Sequence, residues 1–230
     1  DGGRWRELDS GVEEDLYGVW ASSAEKMVAV GANCTALEFN GIPEKPADGG
    51  EAPPDLKILE VDNCGTFRAI HGFADDRAFV VSDDRGQWYN GSRLTGGREF
   101  NQRVLGVCMT GDDEIHVSGE HGFYSHKNGG NWNDRTVNMC PVAMQGGECP
   151  TELMQPVLWD VWAAAGGQGA VVGTYGGIWT LPLGEGDVPA ELDAGFATEL
   201  RGAYGLFDPE AAKNPVTVYA VGQYGVVARI

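Results

Sequence analysis

Positive charge is scarce in this sequence, and long apolar runs and closely spaced cysteines are absent. The chain has 16 Lys and Arg against 34 Asp and Glu, so its formal net charge is −18. A nucleic-acid groove or an anionic membrane surface would repel such a chain. No run approaches the roughly 18 apolar residues that cross a bilayer, and no cysteine pair has the spacing of a zinc site. We therefore expect no nucleic-acid partner, no membrane insertion and no cysteine-bound zinc.

Glycine, by contrast, is abundant. It occupies 35 of 230 positions, about twice the usual share of ~7%. The chain has 11 prolines and no Gly-X-Y period, which excludes a collagen-like fold. An apolar content of 42% is that of a globular domain rather than of an acidic disordered tail.

Internal repetition explains where much of this glycine lies. Five similar apolar runs are each followed by a second run that ends in Gly or Ser, 15 positions after the start in four copies. A short turn and a third run come next. Three short strands ended by turn residues predict a β-meander. The five opening runs begin at Leu16, Phe67, Val104, Leu158 and Leu200.

The repeat length predicts the architecture. The spacings are 51, 37, 54 and 42 residues, and five repeats in 230 residues average 46, the length of a four-stranded propeller blade. We predict an all-β, five-bladed β-propeller of four-stranded blades, with 1–230 as one domain. Residues 1–15 would complete the blade of 200–230 and close the ring. The alternative is a glycine-rich β-sandwich.

The repeat resembles a known kind of propeller. The pattern Leu-x-Gly-Val-Trp, then Val-x-Ala-Val-Gly, then Asp/Asn-Gly-x-x-Trp is similar to degenerate BNR or Asp-box repeats of bacterial β-propellers. Asp1 to Trp5 and Asn128 to Trp132 carry the last element, four positions apart where a strict box has five. The arginine trio and nucleophilic tyrosine of sialidases are not recognisable, so the resemblance implies no sialidase activity. A five-bladed ring also resembles, by blade count alone, tachylectin-type lectins and arabinanase-type glycosidases. The resemblance therefore implies a fold rather than a function.

The five cysteines fall into a pattern on the repeat map. Cys34 and Cys64 flank the Pro/Gly-rich insertion 41–54, and Cys140 and Cys149 flank a short Pro/Gly loop. Disulfides at these places would constrain the insertions, so we predict the pairs Cys34–Cys64 and Cys140–Cys149, with Cys108 as a free thiol. Two disulfides predict an oxidising location: secreted, periplasmic or at the cell surface. The alternative is five reduced cysteines in a cytosolic protein.

A candidate ligand site comes from equivalent positions of the five repeats. If the first strand of each blade lines the channel, the fifth-position residues form a ring near one mouth. Aromatic faces there could stack on a sugar or on another small ligand. The alternative is that these side chains fill the space between blades, and a soft metal between the histidine and the thiol is a weaker possibility. The five residues are Trp20, His71, Cys108, Trp162 and Tyr204.

Acidic residues offer two weaker hypotheses. Third positions of the opening runs are small except for Asp160, which makes it a weak candidate for a catalytic carboxylate in the channel. Asp75-Asp76 and Asp112-Asp113 lie in equivalent loops, where their oxygens could bind Ca²⁺. Solvated turn carboxylates are the alternative. No other cofactor is expected.

Three histidines recur at intervals of five: His116, His121 and His126. On a hairpin, His116 and His126 could face each other across the strands with His121 at the tip. Imidazole nitrogens bind divalent transition metals, so these residues are weak candidates for a metal site.

These observations together predict a monomeric, exported binding module rather than an enzyme. Its ligand would be a glycan or small molecule at the aromatic channel mouth, or a protein on a loop face. One alternative is a glycoside hydrolase or lyase with channel carboxylates. Such an enzyme needs several acidic residues on the first strands, and only Asp160 qualifies. The other is an adhesin or scaffold domain of a larger surface protein, because the chain begins in the middle of a blade.

Overall fold

The computed structural model describes residues 9–41, 55–139, 154–181, 198–208, 210 and 216–230, and they form five β-sheets. Sheet 1 contains β1 (Leu16–Ala21), β2 (Met27–Gly31), β3 (Ala36–Phe39) and β4 (Leu56–Ile58). Sheet 2 contains β5 (Glu60–Val61), β6 (Phe67–Ala74), β7 (Arg77–Ser82), β8 (Arg85–Tyr89) and β9 (Arg93–Glu99). Sheet 3 contains β10 (Val104–Gly111), β11 (Glu114–Gly119), β12 (Phe123–Asn128) and β13 (Asn131–Thr136). Sheet 4 contains β14 (Leu158–Ala163), β15 (Gly169–Gly173) and β16 (Ile178–Leu181), and sheet 5 contains β17 (Leu200–Phe207), β18 (Val216–Gly222) and β19 (Val227–Arg229).

Each sheet is an antiparallel meander that begins at a predicted repeat start. The short β5 is added in parallel to the outer edge of sheet 2. A fourth strand follows Asn128 in sheet 3, where the Asn-Gly-Gly-Asn-Trp motif predicts one. The equivalent motif at Asp1 to Trp5 lies outside the described residues. Within the described part of the chain, no helix is long and apolar enough to cross a membrane.

The turn between the second and third strands needs a left-handed backbone in four of the five sheets. Asn33, His121, Tyr175 and Tyr224 have φ between 49° and 58°. The residue after each of the last three is a glycine with φ of 67° to 73°. Two successive left-handed residues are the geometry of a type I′ hairpin turn, which twists with its strands. Sheet 2 is the exception, because its Gly86 lies within β8 and leaves room for the ring of Phe79.

Every first strand carries the same irregularity. Its register shifts between the first and third positions of the repeat, so two residues oppose one on the second strand. Such a β-bulge reverses which face the following side chains occupy. First- and fourth-position side chains therefore point to the preceding sheet, and third- and fifth-position side chains point to the following one.

The hydrophobic core lies between successive sheets rather than within one centre. Four clusters of buried side chains join sheets 1 and 2, 2 and 3, 3 and 4, and 4 and 5. The fourth-position residues Ile70, Val107 and Val161 are 2–6% exposed in these clusters. Each sheet is thus stabilised mainly by its neighbours in sequence, as in other repeat folds.

The two terminal sheets each leave one apolar face uncovered among the described residues. Val19, at the fourth position of sheet 1, is 63% exposed. On sheet 5 the side chains that point away from sheet 4 are also exposed, and we call them the outer face of sheet 5: Tyr204, Leu206, Tyr219, Val221 and Val227. Ring closure and the count of five blades therefore stay predictions.

A disulfide ties sheet 1 to the start of sheet 2. Cys34 and Cys64 are bonded, with Cα atoms 4.9 Å apart, as predicted. Cys34 is part of the left-handed turn of sheet 1, and its backbone nitrogen donates to the oxygen of Gly65. Cys108 is free and buried. The predicted pair Cys140–Cys149 lies outside the described residues.

Candidate functional site

The fifth-position side chains do not meet in a cup. Four of the five insert between sheets, and each of the four contacts the sixth position of the next sheet. The Trp20 indole is 8% exposed and donates to the oxygen of Gly72 at 2.9 Å. The Trp162 ring lies where a Cβ on Gly205 would be 2.3 Å away. Side chains of a strand point out of the two faces of its sheet, so these residues meet a neighbouring sheet rather than a central channel. The bulge directs the fifth position to the following sheet.

His71 and Cys108 follow the same rule. The His71 Nδ1 atom lies 3.1 Å from both the backbone nitrogen and the oxygen of Met109. The Cys108 Sγ atom accepts from the nitrogen of Ala163 at 3.3 Å and donates to its oxygen at 3.4 Å. Burial raises the pKa of the Cys108 thiol to about 12, so it is not a reactive thiolate. Tyr204 alone, 66% exposed, lacks such a contact among the described residues.

Asp160 links sheets 4 and 5. Its Oδ2 accepts from the backbone nitrogen of Ala203 at 2.9 Å, and its Oδ1 accepts from that of Val161 at 2.9 Å. Burial raises the pKa of this carboxyl to about 6. Both oxygens are thus engaged by backbone donors, which is a structural arrangement more than a catalytic one.

The acidic loops are engaged by basic side chains. Arg77 lies between Asp76, at 3.2 Å, and Asp112, at 3.3 Å, and Lys127 contacts Asp113. The predicted Ca²⁺ site would thus have a guanidinium group between its two loops. These exposed ion pairs stabilise the loops only slightly.

Two of the three predicted histidines come together. His116 on β11 and His126 on β12 are register partners, with ring centroids 4.2 Å apart and nearly parallel planes. His121 stands at the exposed tip of the hairpin, as predicted, and is not part of this group. Glu114, which directly follows Asp112 and Asp113 in the chain, takes its place. The side-chain donor atoms of Glu114, His116 and His126 lie within 4.8 Å of one another.

A second group of functional candidates lies where the second-to-third-strand turns meet the starts of the first strands. Thr174 N donates to Val157 O and Gln223 N donates to Glu199 O, both at 3.0 Å, so each turn adjoins the entry to its first strand. Tyr175 is 42% and Tyr224 is 91% exposed in these turns.

Bulged second-position residues add arginine–aromatic pairs at the same end. The Arg68 guanidinium lies 5.6 Å from the Tyr17 ring, and that of Arg201 lies 4.5 Å from the Trp159 ring. Cations at this distance are attracted to the ring face. We call this surface the turn face and define it by Tyr17, Arg68, Trp159, Tyr175, Arg201 and Tyr224.

Sequence reasoning missed the turn face because it read the bulged position as ordinary strand. One available signal was Tyr before Gly in the turns at 175 and 224, where Asn is the residue suited to a left-handed backbone. The pairing of His116 with His126 was predicted, but the addition of Glu114 to them was not. Positions 116 and 126 are equidistant from the turn residue His121, and Glu114 precedes His116 by two residues on the same strand face.

Comparisons with known proteins identify the fold. No family model and no curated protein matches the chain. It is similar to the solved WD40 β-propeller domain of Doa1, with 8% identity, a TM-score of 0.64 and 95% of this chain covered. The C-terminal WD40 domain of Sif2 is 11% identical, with a TM-score of 0.63 and 99% of this chain covered. YCF48 bound to D1 peptide is 13% identical, with a TM-score of 0.58 and 97% of this chain covered. The chain spans 65%, 61% and 66% of these three chains, respectively.

These similarities establish the β-propeller fold predicted from the repeats. At such low identity they show the fold alone. A BNR or Asp-box identity is not shown by any of them, so that resemblance stays a prediction.

Proposed function

We propose that this chain is a protein-interaction module that binds a segment of a partner protein through the turn face. The observation that carries the proposal is the left-handed backbone of Tyr175 and Tyr224, with φ of 58° and 57°. A bulky residue in this conformation costs roughly 1–2 kcal/mol. Packing does not explain the cost at Tyr224, whose side chain is 91% exposed.

The composition of the turn face supports a protein partner. Tyr, Trp and Arg dominate the energetics of protein interfaces. The charges are also balanced locally, because Arg68 pairs with Asp83 at 2.9 Å and Arg201 with Glu199 at 2.6 Å. A face built this way does not share the strong negative charge of the whole chain. YCF48, whose solved structure is similar to that of this chain, is bound to D1 peptide.

The experiment compares two substitutions at the turn face with one at the opposite end. The immobilised chain is exposed to an extract of its native host, and retained proteins are identified by mass spectrometry. Tyr224→Asn keeps a residue suited to the left-handed turn, and Arg201→Gln removes a guanidinium. Asp113→Asn, in the β10–β11 turn, is the matched surface control. We expect one retained protein, bound at least about tenfold more weakly by both turn-face variants and unchanged by the control.

Three results would contradict this function. The first is a retained protein whose binding survives both turn-face substitutions, and the second is the absence of any retained protein. The third is binding on a glycan array that Tyr224→Asn abolishes, which would make the ligand a carbohydrate. The glycan and enzyme hypotheses have less support, because Trp20, His71, Cys108 and Trp162 already contact the next sheet and Asp160 binds backbone amides.

We also propose that the propeller is a closed ring of five blades. The outer face of sheet 5 is built from the same repeat positions as the faces of sheets 1 to 4 that pack against the next sheet. Sheet 1 has an uncovered face at the positions that, in sheets 2 to 5, pack against the preceding sheet. By the repeat rule, Tyr204 at the fifth position would contact Ala21 at the sixth position of sheet 1. Covering both faces would remove the exposed apolar surface that a soluble monomer avoids.

A cysteine pair tests this closure. Tyr204→Cys with Ala21→Cys should form an intramolecular disulfide under mild oxidation, seen as a faster monomer band that reduction reverses. Tyr204→Cys with Glu25→Cys is the control pair. Disulfide-linked dimers, or no cross-link at all, would overturn closure within one chain.

We propose in addition that the protein is exported to an oxidising location. The Cys34–Cys64 disulfide supports this, because such bonds persist outside reducing compartments. Thiol titration of the denatured, unreduced protein should find one free thiol if Cys140 and Cys149 are also paired. Five free thiols in protein taken from its native host would contradict export.

A further inference from the structure

A polar cleft opens between sheets 3 and 4, away from the turn face. Its volume is about 260 Å³, and it is bordered by the β14–β15 turn at Gly166 and Gly167. The face of sheet 3 that lines it carries polar and charged side chains where the other sheet interfaces are mostly apolar. The lining residues from sheet 3 that matter here are Glu114, His116, Tyr124, His126 and Arg135.

Two imidazole nitrogens in this cleft are buried without a partner. His116 is 1% exposed, and its Nδ1 lies 2.7 Å from the hydroxyl of Tyr124. Its Nε2 and the Nε2 of His126 have no hydrogen-bond partner among the described residues. A buried polar atom left unpaired costs about 1–3 kcal/mol, so such atoms usually have a role.

We propose that Glu114, His116 and His126 bind a Zn²⁺ ion in this cleft. Their donor atoms already lie within 4.8 Å of one another. Two histidine nitrogens and one carboxylate oxygen are a donor set that Zn²⁺ accepts, with a fourth position left for water or a ligand. The cleft that these residues line leaves room for that water or ligand.

The protonation states suit metal binding. Burial lowers the pKa of His116 to about 3, and the pKa of His126 is also lowered, mainly by burial. Both rings are therefore neutral near pH 7 and offer lone pairs without first losing a proton. The Tyr124 hydroxyl fixes the His116 ring, and Thr110 donates to the Glu114 Oε2 at 2.6 Å. Partners of this kind orient metal ligands.

One ring must turn for the ion to bind. Bonds of about 2.0–2.2 Å to a shared zinc ion need lone pairs that converge, whereas the two rings are stacked with only 9° between their planes. His116 is buried and held by Tyr124. His126 is only partly buried, so we expect its ring to be the one that rotates about the Cβ–Cγ bond when the ion binds.

Calorimetric titration of the full chain with ZnCl₂, after treatment with EDTA and without reductant, tests the site. We expect one equivalent of Zn²⁺ to bind. His126→Gln and Glu114→Gln should each weaken binding by at least about tenfold, and Tyr124→Phe by about 10- to 100-fold. His121→Asn is the matched control, because it removes a histidine from the same hairpin and keeps a residue suited to its left-handed backbone.

A second measurement distinguishes loss of the metal site from loss of folding in the variants. Co²⁺ in place of Zn²⁺ should give the visible absorption of a tetrahedral nitrogen–oxygen site in the wild type and in His121→Asn, and not in His126→Gln. Circular dichroism should show that His126→Gln is folded. Absence of saturable Zn²⁺ binding by the wild type, or unchanged binding by folded His126→Gln, would overturn the proposal. Neither result bears on partner binding at the turn face.

Discussion

The outer faces of sheets 4 and 5 are built from the same repeat positions but have opposite environments. On sheet 4, Ala170, Val172 and Ile178 are 0–2% exposed because sheet 5 covers them. Their equivalents on sheet 5, Tyr219, Val221 and Val227, are 37–69% exposed. Trp162 is wedged against Gly205, whereas Tyr204 points into solvent. A residue at these positions is therefore buried only where the next sheet covers it. An apolar side chain there does not by itself indicate a core.

The largest expected effects come from truncating the two fifth-position residues Trp162 and Tyr204. Trp162→Ala removes a large ring from two interfaces and should lower the free energy of unfolding by about 3 kcal/mol or more. Tyr204→Ala should change it by less than about 0.5 kcal/mol in an open arrangement of the sheets, whereas the proposed closed ring predicts a loss comparable to that of Trp162→Ala. Urea unfolding followed by circular dichroism measures both. Equal losses would mean that the outer face of sheet 5 is covered in solution.

The sixth-position glycine gives the next largest effect. A Cβ on Gly205 would lie 2.3 Å from the Trp162 ring, so Gly205→Ala should cost about 1–3 kcal/mol through overpacking. Gly111→Ala is the control, because nothing lies within 4 Å of its added carbon. Thermal unfolding compares the two, and a similar melting temperature for both would show that sheets 4 and 5 do not pack as closely as described.

A pH dependence should mark the polar link between the same two sheets. The folded-state pKa of Asp160 is raised to about 6, above its ordinary value of 3.8. The folded state thus binds more protons than the unfolded state in this window. Stability is therefore lost as pH rises from about 4 to 6, by at most ~1.4 kcal/mol per pH unit.

Asp160→Asn isolates this effect, because other carboxylates titrate in the same range. The difference between wild type and variant in the free energy of unfolding, measured by urea titration at several pH values, should vary from pH 4 to 6 and be constant above. A difference that is independent of pH would refute the raised pKa.

The smallest effect concerns the two turn tyrosines. Tyr224→Asn relieves a left-handed backbone at no cost in packing and should stabilise the protein by about 0.5 kcal/mol. Tyr175→Asn should stabilise less, because Tyr175 is only 42% exposed and loses contacts. Calorimetric melting temperatures should rise in that order, and a fall with Tyr224→Asn would mean that Tyr224 contributes to folding.

The repeat pattern predicted most of the fold. Leu16, Phe67, Val104, Leu158 and Leu200 each begin the first strand of a sheet, because alternating apolar residues ended by glycine turns specify a meander locally. The Cys34–Cys64 bond was also predictable, since it spans an insertion.

The bulge was not predictable. Its second-position residues are as different as Arg68, Leu105 and Trp159, so no residue type marks it. One extra residue there reverses the faces of all later side chains, and this is why Trp20 and Cys108 point to the following sheet rather than to the preceding one. Glu114 was missed for another reason: it follows Asp112 and Asp113 and looks like one more acidic residue of that turn, although its side chain lies near those of His116 and His126.

The disulfide of sheet 1 has a consequence for how the chain tolerates being cut. Cys34 and Cys64 enclose the Pro/Gly-rich insertion 41–54, which joins β3 to β4 within sheet 1. A protease that breaks one peptide bond between residues 35 and 63 would leave two pieces that are still covalently joined. The nicked protein would run as two fragments only after reduction. The insertion is thus a site where the chain can be opened, or a foreign sequence introduced, without releasing sheet 1 from the rest of the propeller.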